Sequence, residues 1–229
     1  MIFTPETRPA SGPARIRWEE PPCPLCSGDR RSPILEAPDL APGGSGLRFA
    51  VVRCDECGLH FTSPRPDADT ISQFYPPGAH HGRLPQVSAG TLTLVDVLEH
   101  AHDPLALLIA ARQMLLSGGQ LSVTVPNLDG NAFRWFGSAW TGLDLPRHLL
   151  HFTPATLRRV LERAGFRVIY LHQIPNANWL RSSALLVARA GRSPVMQRYL
   201  TFPTLAHLAA WGNYLAGKSE CIRATAVAV

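Results

Sequence analysis

The sequence predicts an α/β protein with a Rossmann-like sheet and a small N-terminal zinc-ribbon module. Two observations predict it. Four cysteines form two closely spaced pairs near the N-terminus, and short apolar runs alternate with helical patterns from Thr91 onward. Strands that alternate with helices of about 10–15 residues are typical of a Rossmann-like sheet rather than of a sandwich or a helical bundle.

The cysteine pairs have the spacing of a structural zinc site. Cys23 pairs with Cys26 and Cys54 with Cys57, and 27 residues separate the two pairs. Each pair is expected on a tight turn, and Gly58 follows the second pair, where a residue that tolerates a positive φ is needed. Two disulfides or four unrelated thiols are the alternatives, but no signal-peptide pattern precedes the cysteines, so a reducing compartment is expected. Four thiolates leave no open position on Zn²⁺, so its role would be structural.

Length and composition limit the classes of function. The 229 residues allow one full domain and a small module, and 45% of them are hydrophobic. The formal net charge is +5, and Lys218 is the only lysine. No apolar run has the length of a membrane span, so a cytoplasmic protein without membrane contact is expected. The ribbon lacks dense basic and aromatic residues, which argues against nucleic-acid binding.

The chain divides into four predicted segments. They are a flexible lead at residues 1–22, the zinc ribbon with a short helix at 23–75, a linker at 76–90, and an α/β region at 91–229. Within the ribbon, the alternating run from Leu47 to Arg53 predicts a strand that delivers Cys54, and residues 37–46 are rich in Pro and Gly. A short amphipathic helix is expected through Ile71 and Tyr75.

In the α/β region, the sequence predicts strands that alternate with helices. Strands are predicted at 92–95, 121–125, 166–171 and 221–229, and helices at 104–116, 154–164 and over much of 176–216. Asp103 and Thr153 precede the first two helices as N-caps, each followed by a proline. Gly118 and Gly119 are expected to end the first helix, and Gly165 the second.

A series of short motifs runs through this region in a set order. They are Val95–His100 (VDVLEH), His102–Pro104 (HDP), Leu116–Gly119 (LSGG), Val125–Asn127 (VPN), Arg134–Gly137 (RWFG), Trp140, Asp144–His148 (DLPRH), His151–Pro154 (HFTP) and Ala164–Phe166 (AGF). The order resembles the second half of class I methyltransferases that depend on S-adenosylmethionine (SAM) and carry an N-terminal zinc ribbon. The resemblance covers roughly residues 23–75 and 91–172. It implies methyl transfer from SAM to an oxygen, nitrogen or carbon of a small metabolite, such as a sugar nucleotide.

The chain departs from this family in its cofactor-binding part. The family begins its catalytic domain with a strand, a glycine-rich loop and a helix, followed by a strand that ends in an acidic residue. Only 15 residues separate Tyr75 from Thr91, whereas the missing units need about 75 residues, at about 30 per βαβ unit. Gly43–Gly46 lies inside the ribbon and opens no helix. The sequence therefore predicts a truncated methyltransferase sheet, explained by a degenerate gene, a mis-joined sequence or a partner that supplies the missing half.

Polar residues follow the strand predicted at 92–95. Asp96, Glu99 and His100 come directly after it, and ligands of open α/β sheets bind at the carboxyl ends of strands. The resemblance implies that this loop faces methyl donor and acceptor, so Asp96 is a cofactor candidate and Glu99 and His100 are catalytic candidates. A Glu–His pair can act on a substrate hydroxyl or hold a metal ion. The alternative is that Glu99 only caps or pairs on the following helix.

A second polar cluster follows Trp140. Its members are Asp144, Arg147, His148 and His151. Arg147 can bind a substrate carboxylate or phosphate bidentately, with Asp144 beside it, and His148 or His151 can serve as a general base. Asn127 is expected to reach the same crevice, or to be a turn residue. The alternative for the cluster is a buried polar network that fixes the Trp140 loop.

The missing half has consequences for partners. Its removal would leave the strand near Thr91 as an exposed edge, so a homodimer or a partner chain is expected to pair with it. Two functions stay open: SAM-dependent methyl transfer to a small-molecule acceptor, and a non-catalytic zinc-binding pseudo-enzyme or substrate-binding subunit.

Overall fold

The computed structural model describes residues 15–76, 89–189, 191 and 195–229. Within these ranges there are two four-stranded sheets, a two-stranded ribbon and six α-helices. Most of the predicted lead, and most of the predicted linker with its two histidines, lie outside the described residues. Among the described residues, no helix is both long enough and apolar enough to cross a lipid bilayer.

The N-terminal module is built from five short strands. They are β1 (Trp18–Glu19), β2 (Arg31–Pro38), β3 (Arg48–Cys54), β4 (His60–Thr62) and β5 (Arg65–Pro66). β2, β3 and β4 form an antiparallel sheet, while β1 pairs with β5. Phe49, Val51 and Phe61 are buried between this sheet and the rest of the chain. The strand predicted before Cys54 is confirmed, and the predicted short helix is a single 3-10 turn, Ile71–Phe74.

The larger sheet is mixed. Its strands are β6 (Ala89–Val95), β7 (Leu115–Pro126), β9 (Phe166–Ile174) and β10 (Cys221–Ala228), in the order β6-β7-β10-β9. β6 runs parallel to β7, and β10 runs antiparallel to both of its neighbours. The prediction of a Rossmann-like α/β sheet is confirmed, and β6 lies at its edge.

Six helices pack around the two sheets. They are α1 (Pro104–Met114), α2 (Asn131–Phe136), α3 (Pro154–Arg163), α4 (Ala177–Arg189), α5 (Val195–Tyr199) and α6 (Pro203–Leu215). The predicted caps are confirmed: the Asp103 carboxylate accepts a hydrogen bond from the Ala106 amide at 2.9 Å, and Thr153 forms a capping box with Thr156. Gly165 follows α3 with a φ of 83°.

The prediction that Gly118 and Gly119 end the first helix is wrong. The helix ends at Met114, and β7 begins at Leu115 and continues through both glycines. Leu115 pairs with Ala89 at the start of the parallel β6–β7 ladder. Pairing with β6 therefore outweighs the tendency of the two glycines to end a helix. The register of the β6–β7 ladder shifts between Ala89 and Thr91, and Gly118, with a φ of 75°, lies in the part of β7 opposite this shift.

A strand of two residues joins the sheets in a way that the sequence did not predict. β8 (Leu150–His151) comes from the α/β region but pairs with β4, so it completes the sheet of the N-terminal module. The Thr62 hydroxyl adds a hydrogen bond to the His148 carbonyl at 2.8 Å. The segment that leads from the larger sheet to α3 is thus fixed against the cysteine-bearing module.

Candidate functional site

The four predicted zinc ligands lie together. Cys23 Sγ is 3.4 Å from Cys57 Sγ, Cys26 Sγ is 3.5 Å from Cys54 Sγ, and all four sulfur atoms lie within 4.8 Å of one another. None forms a disulfide. A tetrahedral Zn²⁺ at about 2.3 Å from each sulfur needs sulfurs about 3.8 Å apart, so this donor set fits the ion. Gly58 has a φ of 76°, and its amide closes the second turn by donating to the Cys54 carbonyl at 2.9 Å.

The loop after β6 turns Glu99 into the interior. Asp96 follows the strand with a φ of 51° and is exposed, and the 3-10 turn Leu98–His100 comes next. Glu99 is fully buried, and its carbonyl accepts a hydrogen bond from the Leu149 amide at 2.8 Å. The polar residues expected at the carboxyl end of this strand are therefore split between the surface and the interior.

Two histidines lie beside Glu99, and the three residues are called the Glu99 cluster: Glu99, His100 and His148. One carboxylate oxygen of Glu99 and one ring nitrogen of each histidine lie within 4.8 Å of one another. His148 Nε2 is 4.0 Å from Glu99 Oε1, and the two imidazole rings meet edge to face at 4.6 Å between centroids. The structure thus brings together three of the four predicted catalytic residues.

Hydrogen bonds to backbone carbonyls orient both imidazoles. His148 Nδ1 lies 2.9 Å from the Gly142 carbonyl, and His100 Nδ1 lies 3.0 Å from the Arg147 carbonyl. Carbonyl oxygens only accept, so each Nδ1 carries the proton and each neutral ring keeps its lone pair on Nε2. The Tyr75 hydroxyl is also 2.9 Å from His100 Nδ1.

Burial dominates the protonation of the Glu99 cluster. It raises the pKa of Glu99 to about 8, with a further increase from the Asp96 and Asp144 carboxylates. It lowers the pKa of His100 to about 4 and also lowers the pKa of His148. Among the described residues, neither carboxylate oxygen of Glu99 has a hydrogen-bond partner. The cluster consists of two neutral imidazoles and an acid with unsatisfied oxygens.

Arg147, a predicted substrate ligand, is occupied within the fold. Its guanidinium contacts both carboxylate oxygens of Asp144, with Nη2 2.7 Å from Oδ1, and Nη1 donates to the Phe74 carbonyl at 3.0 Å. Nη2 also lies 3.0 Å from Asp39 Oδ1 in the loop between β2 and β3. Substrate binding by Arg147 and Asp144 stays a prediction, while their contacts join the N-terminal module to the α/β region.

The remaining predicted site residues are also engaged internally. Asn127 is fully buried, donates from Nδ2 to the Ser219 carbonyl at 2.8 Å and accepts from the Asp129 amide at 3.1 Å. His151 Nε2 lies 3.1 Å from the Thr62 hydroxyl, and burial lowers the pKa of this histidine well below its usual value. Neither residue belongs to the Glu99 cluster, so their roles in binding and catalysis stay predictions.

A cavity of about 760 Å³ opens between the two parts of the chain. Its walls come from the β2–β3 loop, the end of the short 3-10 turn and the segment from Ser138 to Arg147. Tyr75 and Asp144 line it and also lie next to the Glu99 cluster. Sequence reasoning missed Asp39 and Tyr75 as site residues, because nothing in their local sequence marks contacts that form across the two parts.

Family comparison identifies this architecture. A family described as "Methyltransferase domain" matches residues 31–171, which is more than half of the chain. The chain belongs to this family. The match includes the second cysteine pair, the Glu99 cluster and the Trp140 loop. A comparison with curated proteins gives no match.

Solved structures of low sequence identity align with part of this chain. They include the [4+2]-cyclase SpnF, at 20% identity over 66% of this chain and 55% of the cyclase, with a TM-score of 0.37. The O-methyltransferase NcsB1 from neocarzinostatin biosynthesis, in complex with S-adenosyl-L-homocysteine, aligns at 16% identity over 66% of this chain and 33% of that chain, with a TM-score of 0.38. An S-adenosylmethionine dependent methyltransferase from Mesorhizobium loti aligns at 15% identity over 69% of this chain and 74% of its own, with a TM-score of 0.38. The chain thus spans about half of the cyclase and a third of NcsB1.

The described residues do not include a glycine-rich loop of the kind that the resemblance led us to expect around SAM. β6 is an edge strand, so no described strand lies on its outer side to deliver a glycine-rich loop. Asp96, the predicted cofactor contact, is exposed, and within the described ranges no glycine-rich turn from strand to helix faces it. The backbone approach and the acidic ribose contact that such cofactors need are therefore not met by these residues.

Proposed function

We propose that this chain takes part in methyl transfer from SAM to a small-molecule acceptor and supplies the acceptor-binding part of the domain. The cavity of about 760 Å³ carries this proposal, because Tyr75, which lines it, contacts His100 in the loop that follows β6. Its volume is in the range of small-molecule sites, which are about 300–1,000 Å³. The methyl donor has to be held by residues outside the described ranges or by a second chain that pairs with β6.

The chemistry of the cavity favours an uncharged acceptor. Trp140, Leu143 and Leu186 contribute apolar wall. Among the described residues that line the cavity, Arg147 is the single cation, and its charge is balanced by Asp39 and Asp144. A diphosphate would bring negative charge next to these two carboxylates, so an acceptor without phosphate fits better than a sugar nucleotide.

The Glu99 cluster would handle the proton of the acceptor. A hydroxyl or amine that accepts a methyl group loses a proton, and His100 is neutral at pH 7 because burial lowers its pKa to about 4. The Tyr75 hydroxyl lines the cavity 2.9 Å from the protonated Nδ1 of His100, so the proton of the acceptor would go to the lone pair on Nε2 of this ring. Glu99 and His148 lie deeper and would position His100 rather than touch the acceptor.

A non-catalytic binding module is the second candidate. It is favoured by a specific observation, namely that the described residues form no donor site although the acceptor cavity and the cysteine cluster are intact. Such a module would bind the acceptor and leave it unchanged.

Calorimetric titration of the full chain with SAM and with S-adenosylhomocysteine separates the two candidates. Micromolar binding, followed by transfer of a labelled methyl group to compounds from an acceptor screen, would support methyl transfer. Absence of heat at millimolar ligand would leave the binding module. A bulky substitution in the cavity wall, Ser45→Trp, should weaken acceptor binding, whereas Ser117→Trp, on an exposed part of β7, should not.

The cysteine cluster would stabilise this arrangement by holding a structural Zn²⁺. We expect the four cysteines to hold one zinc ion per chain after purification under reducing conditions such as those of the cytoplasm. Cys26→Ser should lower zinc content and stability together. Cys221→Ser is the matched control, because Cys221 is a buried free thiol on β10, outside the cluster. Full zinc content in Cys26→Ser would contradict the four-cysteine site.

A further inference from the structure

The Glu99 cluster has the composition of a second metal site, separate from the four cysteines. We propose that Glu99, His100 and His148 bind one divalent cation of borderline softness, such as Zn²⁺, Fe²⁺ or Co²⁺. Two imidazole nitrogens and one carboxylate oxygen are a donor set that suits these ions. Their ligand atoms lie within 4.8 Å of one another, and the 4.0 Å between Glu99 Oε1 and His148 Nε2 leaves room for an ion about 2.1 Å from each. An ion at this site would use the lone pair of His100, so the site stands in place of His100 as a free base in the proposed function.

The state of the Glu99 carboxylate points independently to a missing ligand. Its side chain is fully buried, and among the described residues neither Oε1 nor Oε2 has a hydrogen-bond partner. Buried polar atoms in proteins are almost always satisfied, so an orphan pair of oxygens indicates an unseen water, proton or ion. The neighbouring imidazoles use their Nδ1 protons on backbone carbonyls, so they have no hydrogen to donate to Glu99. The Asp96 carboxyl also lies beside Glu99, and it can donate only when it is itself protonated.

The hydrogen bonds around the histidines match those of metal ligands. A histidine that binds a metal through one nitrogen usually donates its other ring N–H to a carbonyl or carboxylate, which fixes the tautomer and the ring plane. His148 does so through the Gly142 carbonyl and presents Nε2 to Glu99. His100 does so through the Arg147 carbonyl. His148 is therefore pre-oriented as a neutral donor towards Glu99, and the ring plane of His100 is fixed.

Asp144 lies between the cavity and the proposed metal site. Asp144 Oδ2 lies 4.0 Å from His148 Nε2, and Asp144 also lines the cavity. The Asp144 carboxylate is held by Arg147, so it is available as a weak or outer ligand rather than a primary one. Three protein ligands leave open coordination positions, as in sites that bind water or a small molecule on the metal.

A proton on Glu99 is the competing occupant. Burial and the neighbouring carboxylates of Asp96 and Asp144 favour the protonated acid, which would satisfy one oxygen by donating to a neighbour. If a metal ion occupies the Glu99 cluster, the chain binds a second equivalent of metal in addition to the zinc of the cysteine cluster. If a proton occupies it, the chain binds metal only at the cysteines.

Cobalt reconstitution of the full chain tests the site. The protein is stripped with a chelator under reducing conditions, reloaded with Co²⁺ and freed of excess ion, and cobalt is measured by mass spectrometry and absorption. We expect about two Co²⁺ per chain, of which only one gives the thiolate-to-cobalt charge-transfer band of the cysteine cluster. Cys26→Ser should lose that band and keep the other ion.

Variants of similar shape assign the second ion. Glu99→Gln keeps the volume of the side chain and should bind about one Co²⁺ with the thiolate band unchanged. His102→Gln is the control, because His102 lies outside the cluster and its Nε2 contacts the Pro66 carbonyl. Wild-type protein that binds only the ion with the thiolate band would overturn the proposal, as would a Glu99→Gln variant that keeps both ions. If Glu99→Gln does not fold, the wild-type melting temperature decides: it should rise again with the second equivalent of metal, and a single rise refutes the site.

Discussion

The contacts of Arg147 make a sharp prediction for stability. Its side chain is 7% exposed and lies against Asp39, which is 3% exposed, and Asp144, which is 36% exposed. Replacing Arg147 with alanine leaves the Asp39 carboxylate buried without its cation. Breaking a buried ion pair from one side typically costs about 3–5 kcal/mol. Two backbone amides, from Ala41 at 3.1 Å and Ser45 at 2.9 Å, still donate to Asp39, so the loss should fall at the low end.

The other partners of Arg147 add little to this loss. Asp144 is exposed enough to be rehydrated, and the Phe74 carbonyl that Arg147 satisfies costs about 1 kcal/mol when its hydrogen bond is lost. We therefore expect Arg147→Ala to lower the free energy of unfolding by about 3–4 kcal/mol. Urea denaturation followed by tryptophan fluorescence measures this change, with an unchanged m-value as the test that unfolding stays two-state.

A surface ion pair from the same module is the control. Arg48 and Glu36 lie 3.8 Å apart, and their side chains are 58% and 67% exposed. Arg48→Ala should change the free energy of unfolding by less than about 1 kcal/mol. In a double-mutant cycle, Asp39→Asn should reduce the cost of Arg147→Ala, because the buried charge is then absent. A loss below about 1 kcal/mol for Arg147→Ala would refute the reasoning and would return Arg147 to a role in substrate binding.

Three further predictions concern a helix cap, a pH response and a sheet edge. Asp103→Ala should lower the free energy of unfolding by about 1 kcal/mol, because the Asp103 carboxylate accepts a hydrogen bond from the Ala106 amide at the start of α1. Chemical denaturation measures this free energy, and an unchanged value would show that the cap does not stabilise the protein. Burial alone would raise the pKa of Asp39, but the amides of Ser45 and Ala41 and the Arg147 guanidinium outweigh it and hold that pKa below its usual value. The stability that Asp39 adds is therefore present above its unfolded pKa and is lost as pH falls through the folded pKa, so Asp39→Asn should flatten the acid limb of a stability–pH curve. We expect a second copy of the chain to pair with the edge strand β6. Thr93→Lys, at an exposed position of this strand, should therefore shift the mass measured by light scattering from that of a dimer to that of a monomer. A wild-type protein that is already a monomer would contradict the edge pairing.

Local chemistry explains which parts of the fold could be predicted. The spacing of Cys54 and Cys57 before Gly58 sets a tight turn by itself, and the caps at Asp103 and Thr153 act within three residues. The alternation of apolar runs with amphipathic helices was enough for the α/β assignment. Each of these signals is short-range, so the sequence pattern contains the whole cause.

The candidate site was only partly predictable. The motifs predict catalytic roles for Glu99, His100 and His148, and the structure brings these three residues together. The motifs do not reveal that Glu99 is fully buried, or that Asp39 neutralises Arg147 from a loop more than a hundred residues away in sequence. Such facts depend on the packing of the two parts of the chain, which no local pattern encodes.

The sequence by itself determined the pairing of the four cysteines and the mixed α/β character, because each follows from residue type and spacing. Only the tertiary structure decided that β8 completes the N-terminal sheet, that β7 begins before its glycines, and that a cavity lies between the two parts. Strand pairing and ion pairing across long sequence distances depend on which surfaces meet. These surfaces meet only after hydrophobic burial has brought the ribbon and the larger sheet together.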